Sequence, residues 1–434
     1  MTAPELLQRL IRFDTRNPPG GERECIAFVD ELLRDAGLET TIVARDPERP
    51  SVVARLPGEG AAPPLLLQGH VDVVPTEGQT WSRDPLGGEL VDGWIWGRGA
   101  LDMKGGVAMM LHAILRAHAD GHTPAGDLVL VVLADEEDGG GLGAKHLVTE
   151  RPELLEGIEY AIGEFGGFTQ EIAGRRFYPI QVSEKQVCGI RATFRGPAGH
   201  GSMPVRGGAM AKLAAFLRAI DRKRLPVHVT PVVTRMVEGF AAGAPRPVGA
   251  VLQRLLDPRT TDAMLRLLGD RGRLFDPLLH NTVSPTIVRG GVARNVIPGE
   301  VSVELDGRLV PGQSPEDLVR ELRALAPGDD VELEVVRSEP GPPEPDYGLF
   351  DLLAGVLREA DPDGTPVPML LPAITDARHF GRLGIQGYGF TPLQLPADFR
   401  FSETVHAADE RVPADAVAWG ADRMYRLIER YGRP

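Results

Sequence analysis

The sequence has almost no cysteine: Cys25 and Cys188 are the only two in 434 residues. Two thiols exclude a disulfide framework and a thiolate-built zinc site, so a bound metal must be held by histidine and carboxylates. Positive charge is also scarce. Lys+Arg is 47 against Asp+Glu 61, a formal net charge of −14, and only five of the basic residues are lysine. Without a basic run the chain lacks the electrostatic footprint of a nucleic-acid or anionic-membrane binder. Long apolar runs are missing as well. The longest strongly apolar stretch, Leu128 to Ala134, is far too short to span a bilayer. The opening Met-Thr-Ala-Pro-Glu has neither the basic nor the apolar region of a secretory signal, and the expected location is the cytoplasm.

What is present is enough apolar material for a core, 42% of residues, in a chain long enough for two domains or one domain with an insertion. Gly 52 and Pro 38 predict many tight loops. Apolar periodicity predicts helices over 22–36 and 104–118, and strands over 41–44, 51–55, 65–67 and 128–133. Apolar strands alternating with helices indicate an α/β domain with a mostly parallel mixed sheet flanked by helices. In such sheets ligands gather at the carboxyl ends of strands. The polar clusters around His70 and Glu136 follow two of these strands directly.

Beyond Glu184 the pattern changes. Strands are expected over 188–194, 301–309 and 331–336, and helices over 209–220 and 315–325, with an irregular Pro/Gly-punctuated stretch at 222–281. The segment Glu339-Pro-Gly-Pro-Pro-Glu-Pro345 reads as a linker. Helical and strand patterns return over 349–360, 367–371, 387–390 and 414–430. The expected organisation is a split catalytic domain, residues 1–183 and 341–434, interrupted by a smaller α+β domain at 184–340.

Several residues able to carry chemistry follow apolar strands or sit in Gly-rich loops: His70, Asp72, Asp102, Glu136, Glu137, Glu164 and His406. Each alone has an ordinary explanation. Asp102 can cap the helix that follows, and Glu136-Glu137 can be a solvated acidic run. Together they meet one requirement: imidazole and carboxylate donors with one shared carboxylate can hold two zinc ions. A carboxylate two residues beyond a ligating histidine can fix its tautomer. Of two adjacent glutamates, one can ligate while the other serves as base. The Gly-rich run Gly139-Gly-Gly-Leu-Gly143 lacks the Lys-Ser/Thr pair of a phosphate-binding loop.

The stretches Gln68-Gly-His-Val-Asp-Val-Val-Pro75, Trp81 and Asp92-Gly-Trp-Ile-Trp-Gly-Arg-Gly-Ala-Leu-Asp-Met-Lys-Gly-Gly106 resemble the M20 family of metallopeptidases. That family includes aminoacylases, acetylornithine deacetylases, succinyl-diaminopimelate desuccinylases and glutamate carboxypeptidases. The resemblance continues through Leu133-Ala-Asp-Glu-Glu137, Gly163-Glu164, Gly199-His-Gly-Ser-Met-Pro204, Asn295-Val-Ile-Pro298, Asp306-Gly-Arg-Leu-Val-Pro-Gly312, Thr375-Asp-Ala-Arg378 and His406-Ala-Ala-Asp-Glu410. It spans nearly the whole chain in the family's order. It implies that His70 and Glu164 hold one zinc, that Glu137 and His406 hold a second, and that Asp102, followed by a cis peptide, bridges the two, with Co²⁺ or Mn²⁺ as substitutes. It further implies that Asp72 orients His70, and that Glu136 is the general base. The inserted domain corresponds to a lid and dimerisation domain. His200 would reach across a homodimer to the oxyanion, and Asn295, Arg308 and Arg378 would bind polar groups of the substrate. For Arg378, a bidentate clamp on a carboxylate competes with an ordinary helix-surface arginine. The remaining seven histidines, His112, His118, His122, His146, His228, His280 and His379, have no assigned role.

Within the family, Glu rather than Asp at position 164 goes with carboxypeptidase and deacylase members. The expected activity is therefore hydrolysis of an N-acyl amino acid or a C-terminal peptide bond beside a free carboxylate. The alternative is a dipeptidase, or a biosynthetic deacylase for acetylornithine or succinyl-diaminopimelate. The 222–281 stretch is longer than the corresponding region of the simplest desuccinylases.

Overall fold

A computed structural model describes every residue except 327, 329, 330, 340, 342 and 434. The expected linker at 339–345 falls in part on 340 and 342, outside the described residues. Two sheets organise the chain. The larger has nine strands in the order Glu39–Val43, Ser51–Leu56, Leu128–Leu133, Leu65–His70, Tyr160–Gly163, Gln386–Gly389, Arg175–Glu184 and Thr365–Leu371, with Gln170–Ile172 added beside Arg175–Glu184. Its centre is parallel, from Leu128–Leu133 through Leu65–His70 and Tyr160–Gly163 to Gln386–Gly389. Towards the Glu39 edge the pairing is antiparallel, and there the successive strands Glu39–Val43 and Ser51–Leu56 meet through a short connection. All residues of Leu65–His70 and Leu128–Leu133 are buried, which accounts for the unbroken apolar runs at 65–67 and 128–133. Helices Lys104–Ala119 and Ala414–Arg430 pack together on this core.

The second sheet has four antiparallel strands in the order Thr282–Gly290, Glu300–Leu309, Gln186–Arg195 and Val331–Ser338. Burial alternates along Glu300–Leu309, as expected of a sheet with one covered face. Helices Ala209–Arg222 and Pro315–Leu325 cover that face with Phe216, Leu318 and Leu322, packed on Ile190, Phe194 and Val303. Elsewhere on its outer strands Ile287, Val288, Val335 and Val336 remain exposed. The chain crosses from the large sheet to the small one at Lys185. This buried amine donates to the carbonyls of Pro277 and His280, each at 2.9 Å, and to Thr282 Oγ1 at 3.0 Å, so it fastens the outgoing strand to the start of Thr282–Gly290.

The stretch 222–281, irregular in the sequence, is a run of short helices: Pro231–Gly243, Arg246–Gln253, Thr261–Leu268 and Asp276–Leu279. Thr230 caps the first by accepting a bond from Val233 N–H. Their apolar residues join the core of the large sheet, with Phe240 edge-on to Phe177 at 5.1 Å. Pro231 and Pro245 punctuate this segment, and no single helical period runs through it. Among the described residues no helix is long and apolar enough to cross a membrane.

Candidate metal centre

The parallel part of the large sheet delivers the predicted residues to one place. His70 is the last residue of Leu65–His70, Glu164 follows Tyr160–Gly163, and Glu136 opens a single helical turn shortly after Leu128–Leu133. Asp102 precedes the helix Lys104–Ala119, and the Asp102–Met103 peptide is cis. His406 lies in the turn before Arg411–Pro413.

The Asp102 carboxylate stands between the two histidines. Its Oδ1 is 3.3 Å from His70 Nε2, and its Oδ2 is 3.1 Å from His406 Nε2. Glu164 Oε2 lies 3.4 Å from His70 Nε2, and Glu137 Oε1 lies 3.3 Å from His406 Nε2. On the other side of the His70 ring, Nδ1 is 2.9 Å from the Asp72 carbonyl and 3.4 Å from Asp72 Oδ1. A carbonyl only accepts, so Nδ1 carries the proton and Nε2 faces the carboxylates. Asp72 therefore holds the histidine by its backbone oxygen at least as closely as by its side chain. The carboxylate also organises the backbone beside it, accepting from Glu136 N–H at 3.1 Å, Glu137 N–H at 3.0 Å and Asn17 Nδ2 at 2.9 Å.

The electrostatics are those of a crowded anionic cluster. Burial, with Glu164 close by, holds Glu136 well above the usual carboxylate range, and burial likewise raises Glu137. Burial pushes Glu164 up to about 8. The carboxylates of Asp102 and Glu137 against its ring push His406 up to about 10. Burial opposes a charged His70, yet the adjacent carboxylates of Asp102, Asp72 and Glu164 raise it well above the ordinary histidine value. Asp102 also stays below its usual value against its own burial, because both imidazoles lie against it. Left to itself the cluster stores protons, since so many buried carboxylates cannot all ionise together.

A divalent cation fits these residues. Asp102 Oδ1 and Glu137 Oε1 are buried and, among the described residues, accept no hydrogen bond, although each lies 3.3 Å from an imidazole nitrogen. Two sets of donor atoms, His70/Glu136/Glu164 and His70/Asp102/Glu137, each fall within 4.8 Å of one another. Imidazole with carboxylate is a donor chemistry that zinc and its neighbours accept.

Arg378 is buried on the short helix Ala377–Phe380, which corrects the reading of it as a surface residue. Its NH1 is 3.6 Å from Glu136 Oε1 and donates to the Thr375 carbonyl, Nε donates to Glu339 Oε2 at 3.1 Å, and NH2 has no hydrogen-bond partner among the described residues. Beside it Asp376 is buried with both carboxylate oxygens unpartnered among the described residues, and burial pushes it up to about 7. Gly140 makes this approach feasible: it sits at φ +70°, and a Cβ there would come within 2.6 Å of Asp376 Oδ1.

The structure does not bring the remaining predicted residues to the cluster. His200 is exposed on the small sheet's side of the chain, its Nδ1 2.7 Å from Ser202 Oγ. The pair Gly199–His200 runs antiparallel to Val296–Ile297, and Gly201 N–H donates to the Asn295 carbonyl at 2.7 Å, so His200 and Asn295 are neighbours. Arg308 is engaged with the Asp306 carboxylate through two bonds of 3.0 Å.

Sequence reasoning missed the residues that support Asp72. Asn17 also donates to Asp135 Oδ1 at 3.2 Å, and Arg49 bridges Asp135 and the buried Glu22. Asn17 stands in a conspicuous Asn-Pro-Pro turn, but nothing in its spacing points to residue 72, and Arg49 and Glu22 carry no local signal at all.

The model of peptidase family M20/M25/M40 matches residues 66–430. A probable carboxypeptidase S-like protein of Dictyostelium discoideum is 29% identical over 84% of this chain and 71% of its own length. The N-fatty-acyl-amino acid synthase/hydrolase of Homo sapiens is 26% identical over 84% of this chain and 74% of its own. Among solved structures, an M20 family metallo-carboxypeptidase from Sulfolobus solfataricus superposes with a TM-score of 0.67 at 17% identity, covering 99% of each chain. The match to the family model over most of its length shows that this chain belongs to peptidase family M20/M25/M40 and is a metallohydrolase.

Proposed function

We propose that the chain is a two-zinc amide hydrolase that cleaves an N-acyl amino acid, or the C-terminal peptide bond of a short peptide, beside a free carboxylate. The observation that carries this reading is the placement of Asp102, each of its oxygens facing a different histidine. In this reading His70 and Glu164 hold one ion, Glu137 and His406 hold the other, and Asp102 is shared. When bound, the ions supply Lewis acidity and bring the pKa of a water towards neutrality.

Glu136 is the base. It takes a proton from the attacking water and returns it to the leaving nitrogen. Asp72 fixes the His70 tautomer and the backbone of both glutamates, so base and ligands keep one geometry. Arg378 offers its unpartnered NH2 to the substrate carboxylate. His200, with Asn295 beside it, serves the oxyanion from the second copy of a homodimer formed through the smaller domain, in a chain divided as 1–183, 184–340 and 341–434. The names of the carboxypeptidase-like and N-fatty-acyl-amino acid relatives support this substrate class.

A panel of N-acetyl amino acids, N-long-acyl amino acids and free dipeptides, assayed on zinc-loaded protein, tests the substrate. Turnover of the N-acyl compounds is the expected result. Hydrolysis of dipeptides alone transfers the protein to the dipeptidases.

A further inference from the structure

His70 and His406 are anchored differently. His70 ends a buried strand, and the sheet fixes it. His406 sits in a loop, its side chain 48% exposed. It has a left-handed φ of 62°, and Asp409 three residues on has φ 60°. Two such residues in one short loop do not hold that shape by themselves, so the surroundings must impose it.

What imposes it is an ion pair between Arg98 and Glu410, with side chains 1% and 0% exposed and NH1–Oε2 at 2.7 Å. Glu410 Oε1 accepts from Leu101 N–H at 2.8 Å and Asp102 N–H at 3.3 Å. Arg98 donates to the Ala407 carbonyl at 3.1 Å and to the His406 carbonyl at 3.2 Å. Gln79 joins in, accepting from Arg98 NH2 at 2.7 Å and donating to the His406 carbonyl at 2.8 Å. The Trp81 ring lies 5.1 Å from the guanidinium carbon. Asp409 is tied by Ser82, through N–H at 2.8 Å and Oγ at 2.9 Å. One buried pair therefore holds the backbone of Asp102 with one partner and the backbone of His406 with the other, although Arg98 and His406 are 308 residues apart in the chain.

We propose that Arg98 and Glu410 are positioning residues that set the separation of Asp102 and His406, and so govern the ion held between Asp102, His406 and Glu137 while leaving the His70–Glu164 ion largely untouched. This rests on the two-metal reading above. Arg98 suits this role because a planar fork can serve a carboxylate and two carbonyls at once, which a lysine ammonium cannot match in geometry. Outer-shell partners of this kind set metal affinity as well as ligand orientation.

The test is a chelator-competition titration of full-length metal-free protein with Zn²⁺, comparing wild type, Glu410→Gln and Arg98→Lys. Circular dichroism and the melting temperature of the metal-free proteins are recorded in parallel, and the Co²⁺ absorption spectrum reports ligand geometry. The expected result is two ions in the wild type. Both variants should keep the metal-free fold and the affinity for one ion, and lose about 10–100-fold for the other. Unchanged affinity for both ions overturns the proposal. So does an equal loss at both sites that tracks a lowered metal-free melting temperature. If neither variant folds, the pair belongs to folding alone and the proposal is also overturned. A wild type that binds fewer than two ions refutes the two-metal reading itself, which separates that failure from a failure of the positioning role.

Discussion

The two sheets present their polar residues in opposite ways. At the carboxyl end of the large sheet, His70, Asp102, Glu137, Glu164 and His406 are drawn together with nitrogen–oxygen separations of 3.1–3.4 Å. They are supported from behind by Asp72, Asn17 and Arg49. Alongside the small sheet, His200 and Asn295 are exposed, and Arg308 is occupied by Asp306. The first region is organised before anything binds. The second is an exposed surface without that organisation. A preorganised site must offset crowded like charges, and this one does so by keeping protons in place. An exposed loop bears no such burden, but it fixes no geometry either.

Breaking the first region should cost most. Glu136→Gln is expected to lower turnover by about 10²–10⁴-fold while metal content, measured by atomic absorption, stays at the wild-type level. Turnover that survives the change removes Glu136 as base. His200→Ala should cost about 10²–10³-fold, the usual effect of removing one oxyanion donor, with no change in metal content or melting temperature. Mixing His200→Ala with Glu136→Gln subunits sharpens the contrast: activity reappears if the histidine acts on a partner's site and stays absent if it acts within one chain.

Asp72→Asn should weaken metal binding by about 10–100-fold. The amide presents a donor where the carboxylate accepts from Asn17 and from the Glu136 and Glu137 backbones. Unchanged affinity in a chelator competition would remove Asp72 from the support of the site.

The smallest effect is a pH trend of the metal-free protein. Glu164 is raised to about 8 and His406 to about 10, so these two groups bind more protons in the folded chain than in the unfolded one between roughly pH 5 and 9. For both groups the stabilisation is complete below the unfolded pKa and is lost as pH rises through the folded value. The melting temperature of the chelated protein should therefore fall across that window. Metal uptake near neutrality should release protons, so apparent affinity should climb with pH. Melts that rise with pH, or uptake without proton release in a weakly buffered titration, would contradict the protonated cluster.

Much of the first region was legible in the residues, because strand ends are. An apolar run followed at once by a polar cluster marks His70 and Glu136, and helix Pro315–Leu325 and strand Leu128–Leu133 have the bounds their periodicity predicts. The supports were not legible. Arg49, Glu22 and Asn17 meet Asp135 and Asp72 only through tertiary contact, and no local pattern encodes that. The helices between 231 and 279 were hidden for a different reason: prolines and glycines interrupt the segment, and all but Pro231–Gly243 are of eight residues or fewer. Arg378 was ambiguous because a four-residue helix has no face that a sequence can reveal; the fold buries it beside Glu136.

The proposed ligands of one ion run from Asp102 through Glu137 to His406, so that ion would also act as a cross-link in the polymer sense. It would hold in one loop nearly everything between Asp102 and His406. The entropy of closing a loop grows only with the logarithm of its length, about 0.6 kcal/mol for each doubling. Inserting the small sheet and its helices between the ligands therefore adds little to the cost of closure. A segment as large as residues 186–338 can be carried inside the loop with little loss of stability, and the parts of the chain that flank it remain tied to each other at the site.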